Sequence, residues 1–126
     1  MTESLLDRWP HQADWPVLDH FDASAGDGTA VLALTVPGDC PWLEGHFPER
    51  PVLPGVVQLR WAIGAAGMLW PAMTTVTGVG NLKFSAPILP PAAIELTLLR
   101  DTSRNRLGFT FRQGGRVRSQ GRVSYA

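Results

Sequence analysis

The stretch PGVVQLRWAIGAAGMLWP, residues 54–71, decides the fold class of this chain. Proline suits the first turn of a helix because its missing N–H would have no partner there, and Pro71 would end the helix from outside. The residues between them are apolar on nearly every face, which is typical of a buried helix. Small residues at positions 62 and 64–67 allow another backbone to approach closely. We therefore expect one buried helix, with Arg60 as a charge in its middle.

Strand-like segments lie on both sides of this helix. Before it, TAVLALTV (Thr29–Val36) is rich in β-formers, and WPVLDHFDA (Trp15–Ala23) is the expected partner strand. After it, four such segments are separated by turns and cover Thr74–Phe84, Ile94–Asp101, Leu107–Gln113 and Val117–Tyr125. An antiparallel sheet and one apolar helix bury each other most simply if the sheet wraps around the helix. The sequence thus predicts an α+β fold.

Length and composition limit the protein classes. With 126 residues, the chain has the size of one domain, and we expect a single domain over 1–126. One cysteine cannot form an internal disulfide, and no Cys/His cluster has metal-ligand spacing, so we expect no metal and a reduced, cytoplasmic setting. The N-terminus lacks a signal-peptide pattern, and the longest apolar run contains Gln58, Arg60 and Pro71, so we expect no membrane span.

The charges are segregated although the net charge is zero. Residues 1–49 carry nine acids against Arg8, whereas residues 83–126 carry Lys83 and seven arginines against Glu95 and Asp101. The basic end either protects a sheet edge or presents an electropositive face to an acidic or phosphorylated partner. The chain is not basic overall and has no recognition motif, so we expect no nucleic-acid partner.

The segment before the helix carries a histidine in a setting that suggests chemistry. GDCPWLEGHFPERP is too rich in Gly and Pro to be regular, so it presents His46 in a loop near the helix start. The N–H of Gly55 or Val56, free at a helix N-terminus, can hold a carbonyl oxygen. A histidine base beside that carbonyl would abstract the proton next to it. A loop histidine is also often structural, so the residue types alone leave both interpretations open.

The same stretch resembles a known family. GHFPERPVLPGVVQLRW is similar to the signature G-H-F-P-G-x-P-x-x-P-G-V-x-x-x-E-A of the β-hydroxyacyl-acyl-carrier-protein dehydratases, with Glu49 in place of a glycine and Trp61 in place of the alanine. KFSAPILPPAAIEL resembles the later pattern K-F-x-x-P-V-x-P-G-D-x-L, with Pro91 and Ala92 in place of Gly-Asp. GGRVRSQGRVSYA is similar to the closing strand. Within the family, the chain looks most like the dehydratases of aryl-polyene pathways.

The resemblance implies a hotdog fold and the dehydration of 3-hydroxyacyl-ACP to trans-2-enoyl-ACP. It implies no cofactor, since the substrate is carried on the phosphopantetheine of acyl carrier protein (ACP). It also implies a homodimer or higher oligomer with sites at the subunit interface, or a hetero-oligomer with another hotdog protein. The catalytic histidine carries over to His46 and the backbone donor to Gly55, with Val56 and Phe47 beside them in the substrate site.

The acid of the family falls at Arg60, which cannot act as a general acid or base. Either Arg60 keeps His46 neutral and hydrogen-bonds the leaving hydroxyl, or Glu44 supplies the acid, or the chain is an inactive partner subunit that binds acyl-ACP. A thioester hydrolase on the same fold would need a carboxylate where Arg60 stands. A buried arginine requires a partner, and Asp39, Glu44 and Glu49 are the candidates.

The arginine-rich end predicts where the carrier protein docks. Carrier proteins are acidic, so complementary charge assists docking. If alternate residues of the last strand share a face, then Arg116, Arg118 and Arg122 point the same way and form the docking surface.

Overall fold

The computed structural model describes residues 5–23, 28–38 and 52–126. The elements follow in the order α1 (Leu5–Arg8), β1 (Val17–Ala23), β2 (Thr29–Val36), α2 (Gly55–Leu69), β3 (Val76–Phe84), β4 (Ala92–Asp101), β5 (Arg106–Gln113) and β6 (Arg116–Tyr125). The predicted helix and the six predicted strands are present, with ends within two residues of those expected. The short helix α1 was not predicted.

The six strands form one antiparallel sheet in the order β1-β2-β4-β5-β6-β3. The central register pairs Leu32 with Leu96 and Leu96 with Phe111. Paired residues of antiparallel strands lie on the same face. These three side chains therefore form a continuous apolar row across the middle of the sheet.

The core lies on one face of this sheet. Burial alternates along β2, β4 and β5, as expected for strands with one covered face. The buried strand residues are Ala30, Leu32, Leu34, Val36, Ala92, Ile94, Leu96, Leu98, Leu107, Phe109 and Phe111. Trp61 of α2 is fully buried in the same cluster. The helix and the sheet thus cover each other, which confirms the α+β prediction.

Helix α2 carries a buried stripe and, outside it, exposed residues. Its buried residues are Val57, Gln58, Trp61, Ala62, Ala65 and Ala66. Val56 is 72% exposed and Arg60 is also exposed. The sequence predicted a buried helix, and α2 contributes its buried apolar residues to the core cluster that it shares with the sheet.

The small residues of α2 have different surroundings. A Cβ at Gly64 would come within 2.4 Å of Cη2 of Trp15, so a side chain rather than a backbone makes the close approach. A Cβ at Gly67 would meet nothing within 4 Å. Only Gly64 of these two is required by packing.

Candidate active site

The N-terminus of α2 presents two backbone donors. Pro54 is the N-cap rather than a first-turn residue, and its carbonyl accepts hydrogen bonds from the N–H groups of Val57 and Gln58, each at 3.2 Å. The N–H groups of Gly55 and Val56 make no hydrogen bond to any residue in the described ranges. Unpaired donors at a helix start attract partial negative charge. This geometry suits the role that the sequence predicted for Gly55 and Val56.

A cleft of about 420 Å³ opens at this helix start. It is lined by Val52, Leu53, Pro54, Gly55, Gln58, Phe84, Ser85, Ala86 and Pro87. A Cβ at Gly55 would lie 2.6 Å from Cζ of Phe84, so the missing side chain makes room for this ring. From the sequence we expected a ligand to approach closely at Gly55, but the Phe84 ring occupies this space.

A buried hydrogen-bond chain joins the cleft to the sheet. The hydroxyl of Ser119 donates to Oε1 of Gln58 at 2.6 Å, and Nε2 of Gln58 donates to the carbonyl of Leu53 at 3.2 Å. Gln58 and Ser119 are both buried. The chain therefore ties the segment that enters α2, the first turn of α2 and strand β6 together. Neither residue was singled out from the sequence, since a lone Gln or Ser carries no pattern.

Arg60 lies on the open side of α2, with its side chain 48% exposed. Its Nη1 forms an ion pair at 3.5 Å with Oδ2 of Asp14, whose side chain is 31% exposed. Its guanidinium carbon lies 5.9 Å from the centre of the Trp15 ring, within the range of a cation–π contact. The expectation of a buried Arg60 is therefore wrong, and its partner in the described chain is Asp14, which the sequence did not suggest.

Several predicted residues lie outside the described part of the chain. His46, Phe47 and Glu44 are among them, and so are the candidate partners Asp39 and Glu49. Their roles stay predictions.

The predicted docking arginines do not form one row. β6 carries a register shift: Phe111 pairs with Ser119 but Arg112 pairs with Val117, so one extra residue of β6 falls between these pairs. The shift breaks the alternation on which the shared face was predicted, so the alternation argument is wrong for Arg116, which lies opposite Gln113. Arg122 lies farther along β6, opposite Gly108.

Arg118 sits next to the cleft. Its carbonyl accepts hydrogen bonds from the N–H groups of Ser85 and Ala86, at 2.8 and 3.2 Å, and both of these residues line the cleft. Its Nε is buried and has no hydrogen-bond partner within the described ranges. Arg118 therefore lies beside the cleft, whereas Arg116 pairs with Gln113 near the β5–β6 turn and Arg122 pairs with Gly108 farther along β6.

Two shifted pKa values occur away from this cleft. The hydroxyl of Ser103 lowers the pKa of Asp101, and burial raises the pKa of Tyr125. Neither residue lines the cleft. Within the described ranges no group of three or more His, Cys, Asp or Glu side chains could hold a metal ion, and none of the helices there is long and apolar enough to cross a membrane.

Comparison with known proteins identifies the family. A family model described as ApeI-like, ApeI dehydratase, matches residues 22–122. The chain belongs to the ApeI-like dehydratase family. The match leaves residues 5–21 of the described chain, including Asp14 and Trp15, outside the matched range.

Individual relatives agree with this assignment. The 3-hydroxyacyl-[acyl-carrier-protein] dehydratase FabZ of Rhodopseudomonas palustris strain TIE-1 is 27% identical over 128 residues, which cover 93% of this chain and 83% of the relative. The dehydratase heterocomplex ApeI:P from Xenorhabdus doucetiae superposes with a TM-score of 0.80 at 26% identity, over 87% of this chain and 96% of that one. An uncharacterized protein from Erwinia carotovora subsp. atroseptica gives 0.78 at 32% identity, over 89% and 96%. These neighbours confirm the hotdog fold.

Proposed function

We propose that this ApeI-like dehydratase removes water from a 3-hydroxyacyl thioester carried on ACP and forms the trans-2-enoyl thioester. The observation that carries the proposal is the start of α2, where the N–H groups of Gly55 and Val56 stand without a described partner beside an open cleft. The family and its FabZ relatives support the same reaction.

The reaction needs a base, a hydrogen-bond donor to the thioester oxygen and a hydrogen-bond donor to the leaving hydroxyl. The neutral imidazole of His46 takes the proton from C2 while an N–H at the start of α2 stabilises the charge on the thioester oxygen. The C2–H electrons then form the C2–C3 double bond, and the C3–O bond breaks. The imidazolium returns its proton to the departing hydroxyl, which leaves as water. The phosphopantetheine arm belongs to the substrate, and this sequence of steps uses no cofactor.

Arg60 takes a different part from the acid that it replaces. A guanidinium donates hydrogen bonds but does not give up its proton near neutral pH. We therefore assign Arg60 to the leaving hydroxyl, where it stabilises developing negative charge, and assign both proton transfers to His46. Glu44 is the alternative acid, and Phe47 is assigned to the substrate site.

A second hotdog subunit, identical or different, is proposed to cover the free edge of the sheet. β3 is an edge strand with exposed apolar side chains. Val76, Val79, Leu82 and Phe84 are each 40–50% exposed there, and Val56 of α2 is exposed as well. An open apolar edge strand favours pairing with another chain. The ApeI:P structure is itself a heterocomplex, which supports a hetero-oligomer as well as a homodimer.

The experiment is to incubate the purified protein with 3-hydroxyacyl-ACP and measure the intact mass of the carrier. We expect loss of one water, and a loss of about 10²–10⁴-fold in rate for His46→Ala with unchanged folding. Release of unacylated carrier would instead indicate a thioester hydrolase. Inactivity that is reversed only by mixing with an active hotdog dehydratase would indicate a partner subunit.

A further inference from the structure

Two neighbouring residues of the N-terminal segment contact the guanidinium of Arg60. Asp14 forms the ion pair through Oδ2 at 3.5 Å, and the ring of Trp15 lies 5.9 Å from the guanidinium carbon. A carboxylate and an aromatic ring restrict a guanidinium in different ways, since one directs an N–H and the other supports its plane. Together they restrict a long side chain that would otherwise have many rotamers.

Contacts that do not involve the charge of Arg60 hold Asp14 and Trp15 in place. The indole N–H of Trp61, a buried residue of α2, donates to the carbonyl of Asp14 at 3.1 Å. The Trp15 ring lies over Gly64, where a Cβ would be 2.4 Å from it. Trp9 meets Trp15 edge to face, with ring centres 5.4 Å apart. A hydrogen bond to the backbone and aromatic packing thus hold these two residues in place independently of the ion pair.

The segment that carries these residues lies outside the family match, which begins at residue 22. An acidic side chain at position 60, as in the family signature, would face the Asp14 carboxylate, and like charges at close range repel. An arginine there is complementary to it. The exchange of the acid for Arg60 and the presence of Asp14 therefore fit each other.

We infer that Asp14 and Trp15 are positioning residues for Arg60, so that the segment before β1 is a working part of the site in this chain. The inference rests on the proposed function, in which Arg60 donates to the leaving hydroxyl. A fixed guanidinium presents its donors in one direction at no further entropic cost. Loss of either contact should lower kcat more than it raises KM, because the proposed function assigns binding of the thioester to the start of α2 and only the leaving hydroxyl to Arg60.

A kinetic double-mutant cycle tests the role of Asp14. Asp14→Asn keeps the shape and removes the charge, and we expect kcat to fall about 10–100-fold with a small change in KM. In an Arg60→Gln background the same change should have almost no further effect, since there is no cation to position. Asp14→Glu should recover part of the rate. Asp22→Asn is the matched control, since it removes the charge of an exposed carboxylate on β1. Its kcat should equal that of the unaltered protein.

Trp15 is tested without altering any charge. Gly64→Ala places a methyl group against the ring and should displace it, which lowers kcat in the presence of Arg60 but not in Arg60→Gln. Gly67→Ala, three residues along the same helix, meets nothing within 4 Å and should leave kcat unchanged. Circular dichroism establishes that each variant is folded.

The two proposals fail in different ways. If the unaltered protein dehydrates its substrate and Asp14→Asn is as fast, or lowers kcat equally with and without Arg60, the positioning role is refuted and the dehydratase stands. If the unaltered protein removes no water from any 3-hydroxyacyl-ACP, the proposed function falls and the positioning role falls with it.

Discussion

Ser119 on β6 donates a hydrogen bond of 2.6 Å to Gln58 in the first turn of α2, and both side chains are buried. Gln58 in turn donates to the carbonyl of Leu53. Buried polar groups cost free energy unless they are paired, so this chain is stabilising only while it is complete. It fixes the start of α2 against the sheet. The N–H groups proposed to donate to the substrate carbonyl lie at this helix start.

Removing the hydroxyl should therefore destabilise the protein. Ser119→Ala leaves Oε1 of Gln58 without its donor, and we expect a loss of about 1–3 kcal/mol in the free energy of unfolding, measured by urea denaturation. Ser124→Ala on the same strand, where the side chain is only half-buried, is the control and should change stability by less than about 0.5 kcal/mol. Equal effects of the two variants would show that the hydrogen bond does not matter.

Glycine at position 55 should be required, whereas glycine at position 67 should not. Gly55→Ala puts a methyl group 2.6 Å from Cζ of Phe84, and the ring, which is 50% exposed, must swing outward. We expect a loss of about 1–3 kcal/mol in the free energy of unfolding. Dehydratase activity should also fall, because the displaced ring borders the N–H groups proposed to hold the substrate carbonyl. Gly67→Ala should instead stabilise the helix by about 0.5–1 kcal/mol.

A second substitution tests whether the clash with Phe84 causes the loss of stability. Phe84→Leu replaces the ring that Gly55→Ala displaces by a smaller side chain, so the double variant should recover much of the lost stability. If Gly55→Ala is tolerated without any change, then Phe84 moves freely and the glycine has no packing role.

The fold could be predicted from the sequence because its signals are local. An apolar run bounded by Pro54 and Pro71 indicates a helix, and alternation in segments such as Thr29–Val36 indicates strands with one covered face. The backbone donors at Gly55 and Val56 follow from the helix start in the same way. These features depend on residues that are neighbours in the chain.

The contacts of the site could not be predicted in this way. Asp14 and Arg60 are 46 residues apart, and nothing in either local pattern links them. The register shift near Arg118 is equally hidden, since an extra residue in a strand leaves no turn signal. Ser119 and Gln58 meet only because β6 passes the first turn of α2.

The arginines nearest the cleft should matter most for the carrier protein. Arg116→Glu reverses an exposed charge two residues before Arg118, whose carbonyl accepts hydrogen bonds from two cleft residues, and it should lower kcat/KM for 3-hydroxyacyl-ACP but not for a small 3-hydroxyacyl thioester. Arg118→Gln should act in the same direction and also reduce stability, because part of that side chain is buried. Arg122→Glu should have a weaker effect, since Arg122 lies farther along β6.

Two measurements control this prediction. Arg104→Glu reverses a charge in the turn between β4 and β5 and should leave the use of ACP unchanged. Added salt should weaken the ACP reaction of the unaltered protein, since exposed charges are screened beyond about 8–10 Å at moderate ionic strength. Equal losses on the carrier-bound and the small substrate would point to damage to the fold.

Restoring the acid of the family at position 60 should fail in this chain but succeed once Asp14 is neutralised. Arg60→Glu replaces a cation by an anion, and if position 60 adjoins His46 as the family signature implies, the pKa of His46 rises because the imidazolium is favoured. The base form is then reached only at higher pH, so the acidic limb of the pH–rate profile should move to higher pH. The new carboxylate also faces Asp14, the partner of Arg60 at 3.5 Å, and repulsion should displace it and abolish the activity.

Two further variants test this explanation. Arg60→Glu with Asp14→Asn removes the repulsion and should recover activity above the shifted limb. Arg60→Lys should keep a low rate, because it loses the planar fork that contacts both Asp14 and Trp15. An unshifted limb and an unchanged rate in Arg60→Glu would show that position 60 is remote from the chemistry.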